Sequence, residues 1–297
     1  MAEPLVSVVT PSLDQGRWID DAIRSVLGQA HPRIEYLVMD GGSTDGTLDV
    51  LRGYGSRLAW SSGRDGGQAQ ALATGFARTR GDILAWLNAD DVYAPDAIAR
   101  AVAAFAAEPD VALVFGNAEF MDAAGRPLGQ AEHVLPLERG EPLLRLGDCV
   151  VQPAAFFRRS AYEAVGGLDP ALHWTMDYDL WFRLARRFPT RRLDATLARV
   201  RCTPGTKTAS GGWKRIAEVE RVARRHGAAG LPSWFALEAA VMHAEEALAA
   251  AKHAQLGSAA AALGAAVRRL GAPGAVGALA SARTWRIARQ LCRNRGW

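Results

Sequence analysis

The segment "LAWLNADDVYAPDAI", Leu84 to Ile98, places two adjacent carboxylates directly after an apolar run. The run predicts a buried strand over Asp82–Asn88, and Pro95 predicts the first turn of a following helix. Asp90 and Asp91 would therefore lie where a strand ends. Three interpretations are open at this point: the carboxylates support a helix, bind a metal ion, or face water.

The rest of the N-terminal half alternates between strand and helix patterns in the same way. Strands are predicted at Leu5–Pro11, Ile34–Asp40, Arg57–Ser62 and Val111–Phe120. Helices are predicted at Gly16–Ala30, from Thr44 onward, at Gly67–Thr79 and at 94–108. Strands separated by single helices are typical of βαβ units and of a mostly parallel sheet with both faces covered. In open sheets of this kind, ligands bind beyond the carboxyl ends of the strands.

Acids recur at those strand ends. They are Asp14, Asp40, Asp65, and the pair Asp90 and Asp91. Each has a structural alternative, such as helix capping by Asp14, or capping by Ser43 and Thr44 with Asp45 near a helix dipole. Bare carboxylates would repel a nucleotide phosphate, so the arrangement favours a divalent cation such as Mg or Mn between them.

Composition limits the class of protein. The chain has 297 residues, 49% of them apolar, which allows one large domain or one domain plus a small extension. A net charge of +4 argues against a nucleic-acid partner. The three cysteines lack the spacing of a metal site, which predicts reduced thiols. The sequence has neither a basic n-region followed by a long apolar stretch nor any other long apolar run, so we expect a cytoplasmic protein.

The known phosphate-binding motifs of other nucleotide proteins are missing. A dinucleotide-dependent oxidoreductase would carry GxGxxG after the first strand, where this chain has "TPSLDQGRW" with one glycine. A Walker loop is also absent from the sequence. Binding of a diphosphate through a metal ion fits the sequence better than either.

Five segments, in order, carry a resemblance to a known family. They are "VSVVTPSLDQGRWIDDAIRSVLGQ", "YLVMDGGSTDGTLDVL", "SGRDGGQAQALATGFARTRGDILAWLNADD", "QPAAFFRRSAYEAVGGLD" and "MDYDLWFRLA". Over roughly residues 5 to 210 the chain resembles an inverting family 2 glycosyltransferase. The resemblance implies the α/β GT-A fold, a Rossmann-like mixed sheet with helices on both faces, for residues 1–210. Residues 211–297 would form a helical extension.

The resemblance also implies an activity. The enzyme would be a metal-dependent hexosyltransferase of polysaccharide biosynthesis. It would move a sugar from a nucleotide-diphosphate donor to a hydroxyl of a saccharide or lipid-linked acceptor, with inversion. Among the donors a UDP-sugar is favoured, and a GDP- or dTDP-sugar is the alternative. The choice of base stays open, because an acid that faces a ring N–H suits uracil, thymine and guanine alike.

The family motifs assign roles to single residues by resemblance. Asp40 matches the acid that hydrogen-bonds the nucleobase, and Asp90 matches the metal ligand of the DXD motif. Asp177 matches the catalytic base. The nucleotide-binding set on this resemblance is Thr10, Pro11, Asp14, Asp40, Asp65, Gly67 and Asn88. Asp91 follows Asp90 and either joins the metal site or holds the loop.

The chemistry of transfer fits these assignments. An acceptor hydroxyl needs a base that removes its proton as the new bond forms. Asp177 precedes a predicted helix, whose N-terminus favours a charged carboxylate, although an ordinary capping role is the alternative. Asp179 is expected to be structural and to pair with an arginine or the backbone.

The chain departs from the family pattern at several positions. The first acid of the DXD motif is Asn88, which defines an Asn-Ala-Asp-Asp subgroup. Gly41, Met176 and Thr203 stand where many members have an acid, a glutamate and a histidine. A second hypothesis is therefore a catalytically weak, glycosyltransferase-like module that binds a nucleotide sugar.

A further set of residues is predicted to lie on the acceptor or diphosphate side. Its members are Gln152, His173, Trp174, Arg201 and Lys207. His173 and Trp174 could line a sugar pocket or pack in a loop. Arg201 and Lys207 could reach the diphosphate or lie on the surface.

The last third of the chain has a different composition. Alanine-rich helices are predicted at 213–227, 232–254 and 258–271. From Arg268 to Trp297 there are seven arginines and no acid, and a helix at Leu279–Arg293 would gather four arginines on one side. Such a helix either contacts an anionic membrane at the inner face or packs on the domain or on a second subunit of a homodimer.

Overall fold

The computed structural model describes residues 3–131, 147, 150–203, 205–252, 258, 261–262 and 264–266. The chain divides into two compact units, Met1–Glu141 with Cys149–Cys202, and Pro142–Asp148 with Thr203–Trp297. Over the described ranges, no helix is both long enough and apolar enough to cross a membrane. The predicted basic helix at Leu279–Arg293, and Cys149 and Cys292, lie outside the described residues.

The first unit is built on one mixed sheet. The described strands are β1 Val6–Ser12, β2 Ile34–Asp40, β3 Ala59–Ser62, β4 Ile83–Trp86, β5 Val92–Tyr93, β6 Leu113–Met121, β7 Pro127–Ala131, β8 Ala155–Arg158 and β9 Thr190–Arg201. Their order is β3-β2-β1-β4-β8-β6-β9-β5, and β7 pairs with β6.

The sheet has a parallel half and a half with mixed directions. Strands β1 to β4 pair in parallel, as the strand–helix alternation predicted. Strand β8 inserts antiparallel to both β4 and β6, while β9 runs parallel to β6 and antiparallel to β5. The alternation alone predicted a mostly parallel sheet, and it gave no sign of β8 or β9, because their pairing joins residues far apart in the chain.

Six described α-helices belong to the first unit, and the first four are shorter than their sequence patterns. They are α1 Ile19–Leu27, α2 Thr47–Gly53, α3 Gln68–Arg78, α4 Ala97–Ala107, α5 Arg159–Ala164 and α6 Met176–Arg187. Pro95 does not begin α4: Asp96 follows it in the left-handed region, with φ of 59°, and the helix starts at Ala97.

Side chains from alternate strand positions pack on opposite faces of the sheet. Val6 and Val8 pack with Ile19 and Ile23 of α1 on one face. On the other face α3 approaches β1 so closely that a Cβ at Gly75 would lie 2.6 Å from Val9 Cγ1. Apolar burial on both faces therefore fixes which strand residues remain at the sheet edges.

An aromatic cluster fills that second face. Trp86 of β4 stacks on Trp181 of α6 with ring centroids 5.7 Å apart, and Phe157 of β8 lies 5.9 Å from Trp86. Trp86 and Trp181 are fully buried. Trp86 is therefore a core residue, and α6 is packed directly against the strand that leads to the two adjacent acids.

The second unit is helical in the described residues. It contains α7 Lys207–Ser210, α8 Gly212–Arg225 and α9 Ser233–Lys252, which correspond to two of the predicted alanine-rich helices and a short preceding turn. Arg215 of α8 forms a buried ion pair with Glu238 of α9. The predicted helix at 258–271 lies mostly outside the described residues.

Candidate active site

The strand register brings the predicted acids to one edge of the sheet. Ser12 lies opposite Asp40, and Asp40 lies opposite Ser62. Val9 of β1 pairs with Trp86 of β4. The loops 13–18, 41–46, 63–67 and 87–91 therefore follow neighbouring parallel strands at the same end, and we call this end the carboxyl edge.

Two of these loops are joined by reciprocal hydrogen bonds. Thr44 N donates to Asp14 Oδ1 at 2.8 Å, and Asp14 N donates to Ser43 Oγ at 2.8 Å. Gly16 N donates to Asp45 Oδ2 at 2.9 Å. Asp14 has φ of 52°, a left-handed conformation that aspartate adopts more readily than most residues. The carboxylates of Asp14 and Asp45 thus link the loop after β1 to the loop after β2.

The alternative roles as simple helix caps are wrong for Asp14, Ser43 and Thr44. Helix α1 begins at Ile19, and α2 begins at Thr47; neither N-cap residue makes a side-chain capping bond. Asp45 does contact α2, because Thr47 N donates to Asp45 Oδ1 at 2.9 Å. Although burial opposes the shift, hydrogen bonds from Thr47 and Gly16 lower the pKa of the Asp45 carboxyl.

Asp40 is buried and already accepts four hydrogen bonds. Gly42 N and Ser43 N each donate to its Oδ2 at 3.0 Å, and Ser62 Oγ donates to the same oxygen at 2.6 Å. Ser43 Oγ donates to Oδ1. The residue is 3% exposed. Because Oδ2 already has three donors and Oδ1 has only one, the remaining acceptor capacity of the carboxylate lies on Oδ1.

Thr10 and Pro11 lie inside the domain. Both belong to β1, every residue of which is buried. Thr10 is 0% exposed, and its hydroxyl pairs with Tyr36 OH at 3.0 Å. The Thr10 side chain therefore faces the interior, because β1 is a central strand covered on both faces. That Thr10 and Pro11 belong to the nucleotide site stays a prediction.

Asp65 and Gly67 follow β3 at the carboxyl edge. Gly67 N donates to Asp65 Oδ1 at 2.8 Å, and Gly67 has φ of 103° just before α3. A Cβ at Gly41 would lie 3.2 Å from Asp65 Oδ2. The exposed Asp65 carboxylate thus occupies the space next to Gly41, the position at which many family members carry a second acid.

Asp90 and Asp91 are neighbours in sequence with different surroundings. Asp91 is 4% exposed; Arg201 N donates to its Oδ1 at 2.9 Å and Asn88 Nδ2 to its Oδ2 at 3.2 Å. The side chain of Asp90 accepts no hydrogen bond from any other described residue. Burial raises the pKa of Asp90, and burial and the Asp90 charge raise that of Asp91 well above its usual range.

The residues at the carboxyl edge do not form a metal cage by themselves. No group of three or more His, Cys, Asp or Glu side chains arranged to hold a metal ion occurs among the residues the structure describes. Asp90 offers hard carboxylate oxygens, which suit Mg or Mn, but further ligands would have to come from a bound diphosphate and water. The donor set therefore fits a metal ion that arrives with a nucleotide.

Both the nitrogen and the oxygen of the Asn88 amide group form hydrogen bonds with other residues. Its Nδ2 donates to Gln152 Oε1 at 3.0 Å and to Asp91 Oδ2, and its Oδ1 accepts from Gln68 Nε2 at 2.8 Å. Gln152 Nε2 donates in turn to Trp86 O at 2.7 Å. Asn88 and Gln152 thus support the edge, and the amide groups that were expected to meet the nucleotide or the acceptor contact each other.

The structural role of Arg201 could not be recognised from the sequence. Its guanidinium is buried and donates to Asp90 O at 2.9 Å, to the carbonyls of Asp122 and Ala123, and to Asp21 Oδ2 at 3.0 Å. The surface role is wrong, because the side chain lies in the interior. Contact with the diphosphate stays a prediction. Nothing in the local sequence marks it, because β9 meets the acid pair only through the folded sheet.

Asp177 is the second residue of α6 and lies in its first turn. Its side chain is half-buried, and Tyr178 N donates to its Oδ1 at 2.8 Å. Asp179 is 1% exposed and forms an ion pair with Arg183 at 2.7 Å, which confirms the prediction that it pairs with an arginine. The two acids of α6 therefore differ in burial.

The remaining members of the acceptor set are spread over the chain. His173 and Trp174 precede α6 and contact each other edge to face, with ring centroids 4.5 Å apart. His173 is exposed and Trp174 is half-buried. Lys207 is the first residue of α7 and belongs to the second unit.

Residues 7–166 match the profile of Glycosyl transferase family 2, and the chain belongs to that family. An uncharacterized glycosyltransferase of Rickettsia felis is 31% identical over 198 residues, which are 63% of this chain and 32% of that protein. The O-antigen biosynthesis protein RfbC of Myxococcus xanthus is 31% identical over 188 residues, 61% of this chain and 14% of that protein. The chain thus spans a third or less of the length of these two relatives.

Solved structures confirm the fold class. The mannosyltransferase PcManGT of Pyrobaculum calidifontis, in complex with GDP-Man and Mn²⁺, superposes with a TM-score of 0.59 at 23% identity. The match covers 99% of this chain and 83% of that one. The GT-A fold, with a mixed sheet and additional C-terminal helices, is therefore as the family resemblance implied.

Proposed function

We propose that the chain is a metal-dependent inverting glycosyltransferase that moves a sugar from a nucleotide-diphosphate donor to a hydroxyl group. The observation that carries the proposal is the contrast within the acid pair of a family 2 chain. Asp91 is held by two donors from other residues, whereas the Asp90 carboxylate beside it receives no hydrogen bond from any other described residue. A carboxylate of this kind at the ligand-binding edge of a sheet is suited to an external cation.

The nucleoside would bind at the part of the carboxyl edge formed by β1, β2 and β3. Asp40 Oδ1 has one acceptor position left, which suits a ring N–H of uracil, thymine or guanine. Its other contacts hold the carboxylate in place before the ligand arrives. Asp14 keeps the neighbouring loop in position, and the exposed Asp65 carboxylate completes this side of the pocket.

The diphosphate would lie at the part of the edge formed by β4. Asp90 would hold Mg or Mn there, and Arg201 fixes the backbone of the acid pair through the Asp90 carbonyl. When bound, the metal ion acts as a Lewis acid that stabilises the charge developing on the leaving diphosphate. Asp91 holds the loop through its bonds to Asn88 and Arg201.

Asp177 would act as the general base. Its place in the first turn of α6 stabilises the charged form through the helix dipole, as a base requires. A carboxylate that removes the proton of the acceptor hydroxyl on the face opposite the diphosphate gives inversion at the anomeric carbon. His173 and Trp174, directly before this helix, would contribute to the acceptor side.

The substrates follow from the same reasoning. We place UDP-sugars first among the donors, with GDP- and dTDP-sugars as the alternatives. The PcManGT structure, which contains GDP-Man with Mn²⁺, is an example of the GDP alternative. A saccharide or lipid-linked acceptor in polysaccharide biosynthesis is supported by the O-antigen relative. We assign catalysis to residues 1–210 and oligomerisation or contact with the inner face of a membrane to residues 211–297.

Binding and turnover measurements test the proposal. Calorimetry with UDP, GDP and dTDP, each with and without Mn²⁺, should show one nucleotide that binds tightly only when the metal is present. Release of free nucleoside diphosphate from the matching donor sugar separates an enzyme from a catalytically weak binding module. Failure of all three nucleotides to bind in the presence of Mn²⁺ would refute the proposed function.

A further inference from the structure

We infer that Asn88 is a positioning residue, and that an amide is required at a place where many family members carry the first acid of the DXD motif. The inference rests on the proposed function and deepens it. It states that replacing Asn88 by the family's aspartate weakens the donor site of this chain instead of repairing it. Four connected hydrogen bonds, whose donors and acceptors can be assigned, support it.

A backbone carbonyl at one end of the network determines which amide group is the donor in each hydrogen bond. Trp86 O can only accept, so the group that Gln152 presents to it at 2.7 Å must be its NH₂. Gln152 Oε1 then faces Asn88 and can only accept. Asn88 must therefore present its own NH₂ to Gln152, at 3.0 Å.

The same NH₂ group has a second acceptor in Asp91. Asn88 Nδ2 lies 3.2 Å from Asp91 Oδ2, so its two hydrogens serve Gln152 and Asp91. The carbonyl of Asn88 remains for Gln68 Nε2, at 2.8 Å. Each end of the amide thus meets a partner of opposite kind, and rotation of the amide by 180° would mismatch all three contacts.

A carboxylate at position 88 cannot satisfy these partners. It would place an oxygen with no hydrogen against Gln152 Oε1 and against the buried Asp91 carboxylate, which is 4% exposed. If Gln152 turned its NH₂ toward the new acid, its oxygen would face Trp86 O instead. Like charges at this separation in a buried place repel strongly, so the acid pair would shift or the new acid would take up a proton.

The network connects the parts of the carboxyl edge. Gln68 is the first residue of α3, directly after the loop that contains Asp65, and Gln152 begins the short 3₁₀ turn Gln152–Ala154 that leads to β8. Asp91 is also bonded to Arg201 of β9. Asn88 therefore joins α3 and the 3₁₀ turn directly, and β9 through Asp91, around Asp90.

The test compares Asn88→Asp with a matched control. Asn117 of β6 also donates to an aspartate, with its Nδ2 3.3 Å from Asp194 Oδ1, and lies outside the proposed site. We expect Asn88→Asp to weaken binding of the Mn²⁺–nucleotide complex about 10-fold or more, the usual consequence of a lost buried partner. Asn117→Asp should bind as the wild type does.

A double variant identifies the contact responsible. In Asn88→Asp combined with Asp91→Asn, the amide and the acid exchange places, so the amide introduced by the second substitution can still accept from Arg201 N and donate to the new acid. Binding of the Mn²⁺–nucleotide complex by this variant should lie closer to wild type than that of Asn88→Asp alone. Binding no tighter than in the single variant would overturn the inference.

Further outcomes separate this inference from the proposed function. If wild type binds the Mn²⁺–nucleotide complex and Asn88→Asp binds it equally or more tightly, the acid repairs a DXD site, and the inference alone is wrong. If wild type binds no nucleotide, the proposed function fails first. Should Asn88→Asp not fold, Gln152→Leu removes one partner of the network, and we expect about 5-fold weaker binding; unchanged affinity in that variant would overturn the inference.

Discussion

The acids after β1 and β2 and the acids after β4 lie at the same edge of the sheet, but their carboxylates have different partners. Asp14, Asp40 and Asp45 accept hydrogen bonds from backbone and hydroxyl groups of the two loops they join. After β4, Asp91 is similarly held, whereas the Asp90 carboxylate receives no hydrogen bond from any other described residue. The first region is organised before any ligand binds, and the second keeps one charge for an external partner.

This difference teaches that an acid at a strand end is not by itself evidence of ligand binding. In the first region the carboxylates hold the loops in place by accepting hydrogen bonds from them, and their loss should lower the free energy of unfolding. In the second region the Asp90 charge is disfavoured by burial, and its loss should cost function more than stability. The following predictions, from the largest expected effect to the smallest, test this division of roles.

Asp177 belongs to neither region, and its replacement should have the largest effect on rate. Asp177→Asn removes the proposed base, so sugar transfer should fall about 100- to 10,000-fold. Affinity for the Mn²⁺–nucleotide complex should stay near wild type, because both acid groups of the edge are intact. Initial-rate kinetics together with calorimetry measure the two quantities. Near wild-type transfer by the variant, or a product that retains the anomeric configuration of the donor, would refute the mechanism.

Asp90→Ala should remove the external charge of the second region. We expect Mn²⁺-dependent nucleotide affinity to fall at least about 10- to 100-fold, the range for substitutions that disturb a metal site. The fold should survive, because no described residue bonds to this side chain. Calorimetry with and without Mn²⁺ gives the measurement, and Asp49→Ala, on the exposed surface of α2, is a matched control. Equal Mn²⁺-dependent affinity in wild type and variant would exclude Asp90 from the site.

Asp40→Asn should damage the first region in a different way. The amide cannot accept all four hydrogen bonds, so the free energy of unfolding should fall by about 1–3 kcal/mol. Nucleotide affinity should fall about 10-fold, by the same factor with and without Mn²⁺. Denaturant unfolding and calorimetry test both parts. A loss of affinity seen only in the presence of Mn²⁺ would contradict the separation of the two regions.

Asp90→Asn should produce a small gain in stability that depends on pH. The folded pKa of Asp90 is raised, so the folded chain binds more protons than the unfolded chain between the two pKa values, and its stability falls as pH rises through this window. The substitution removes that loss. We expect the metal-free variant to be more stable than wild type by on the order of 1 kcal/mol near neutral pH.

The gain should disappear at low pH. Well below the ordinary aspartate pKa of about 4, the wild-type residue is protonated in both the folded and the unfolded state, and the two proteins should be equally stable. Denaturant unfolding at several pH values in the presence of a chelator provides the measurement. A stability difference that grows as the pH is lowered would show that the sign of the pKa shift is wrong.

Much of the first half of the fold could be predicted from the sequence. The patterns of β1 to β4 and of the helices between them are local, since apolar periodicity of two or 3.6 residues identifies each element. Their parallel pairing follows from single-helix crossovers. For this reason the placement of Asp14, Asp40, Asp65 and Asp90 at one edge could be expected before the structure was known.

The sequence did not distinguish the roles of those acids. It predicted the element ends at which the acids lie, and the family resemblance supplied their roles in the reaction. Whether a carboxylate has hydrogen-bond donors depends on residues such as Ser62 and Arg201, which lie 22 and 110 residues along the chain from the acids they contact. Local patterns do not record contacts at such separations.

The pairing of the later strands and the role of Arg201 depend on the tertiary structure. Strands β8 and β9 enter the sheet through long-range pairing, and β9 carries the buried Arg201 to the backbone of the acid pair. The sequence presented Arg201 as a surface or diphosphate-binding residue, because a charged side chain is normally exposed. Burial of a guanidinium is favourable only where several acceptors surround it. The acceptors of Arg201 come from separate parts of the chain, which only the folded domain brings together.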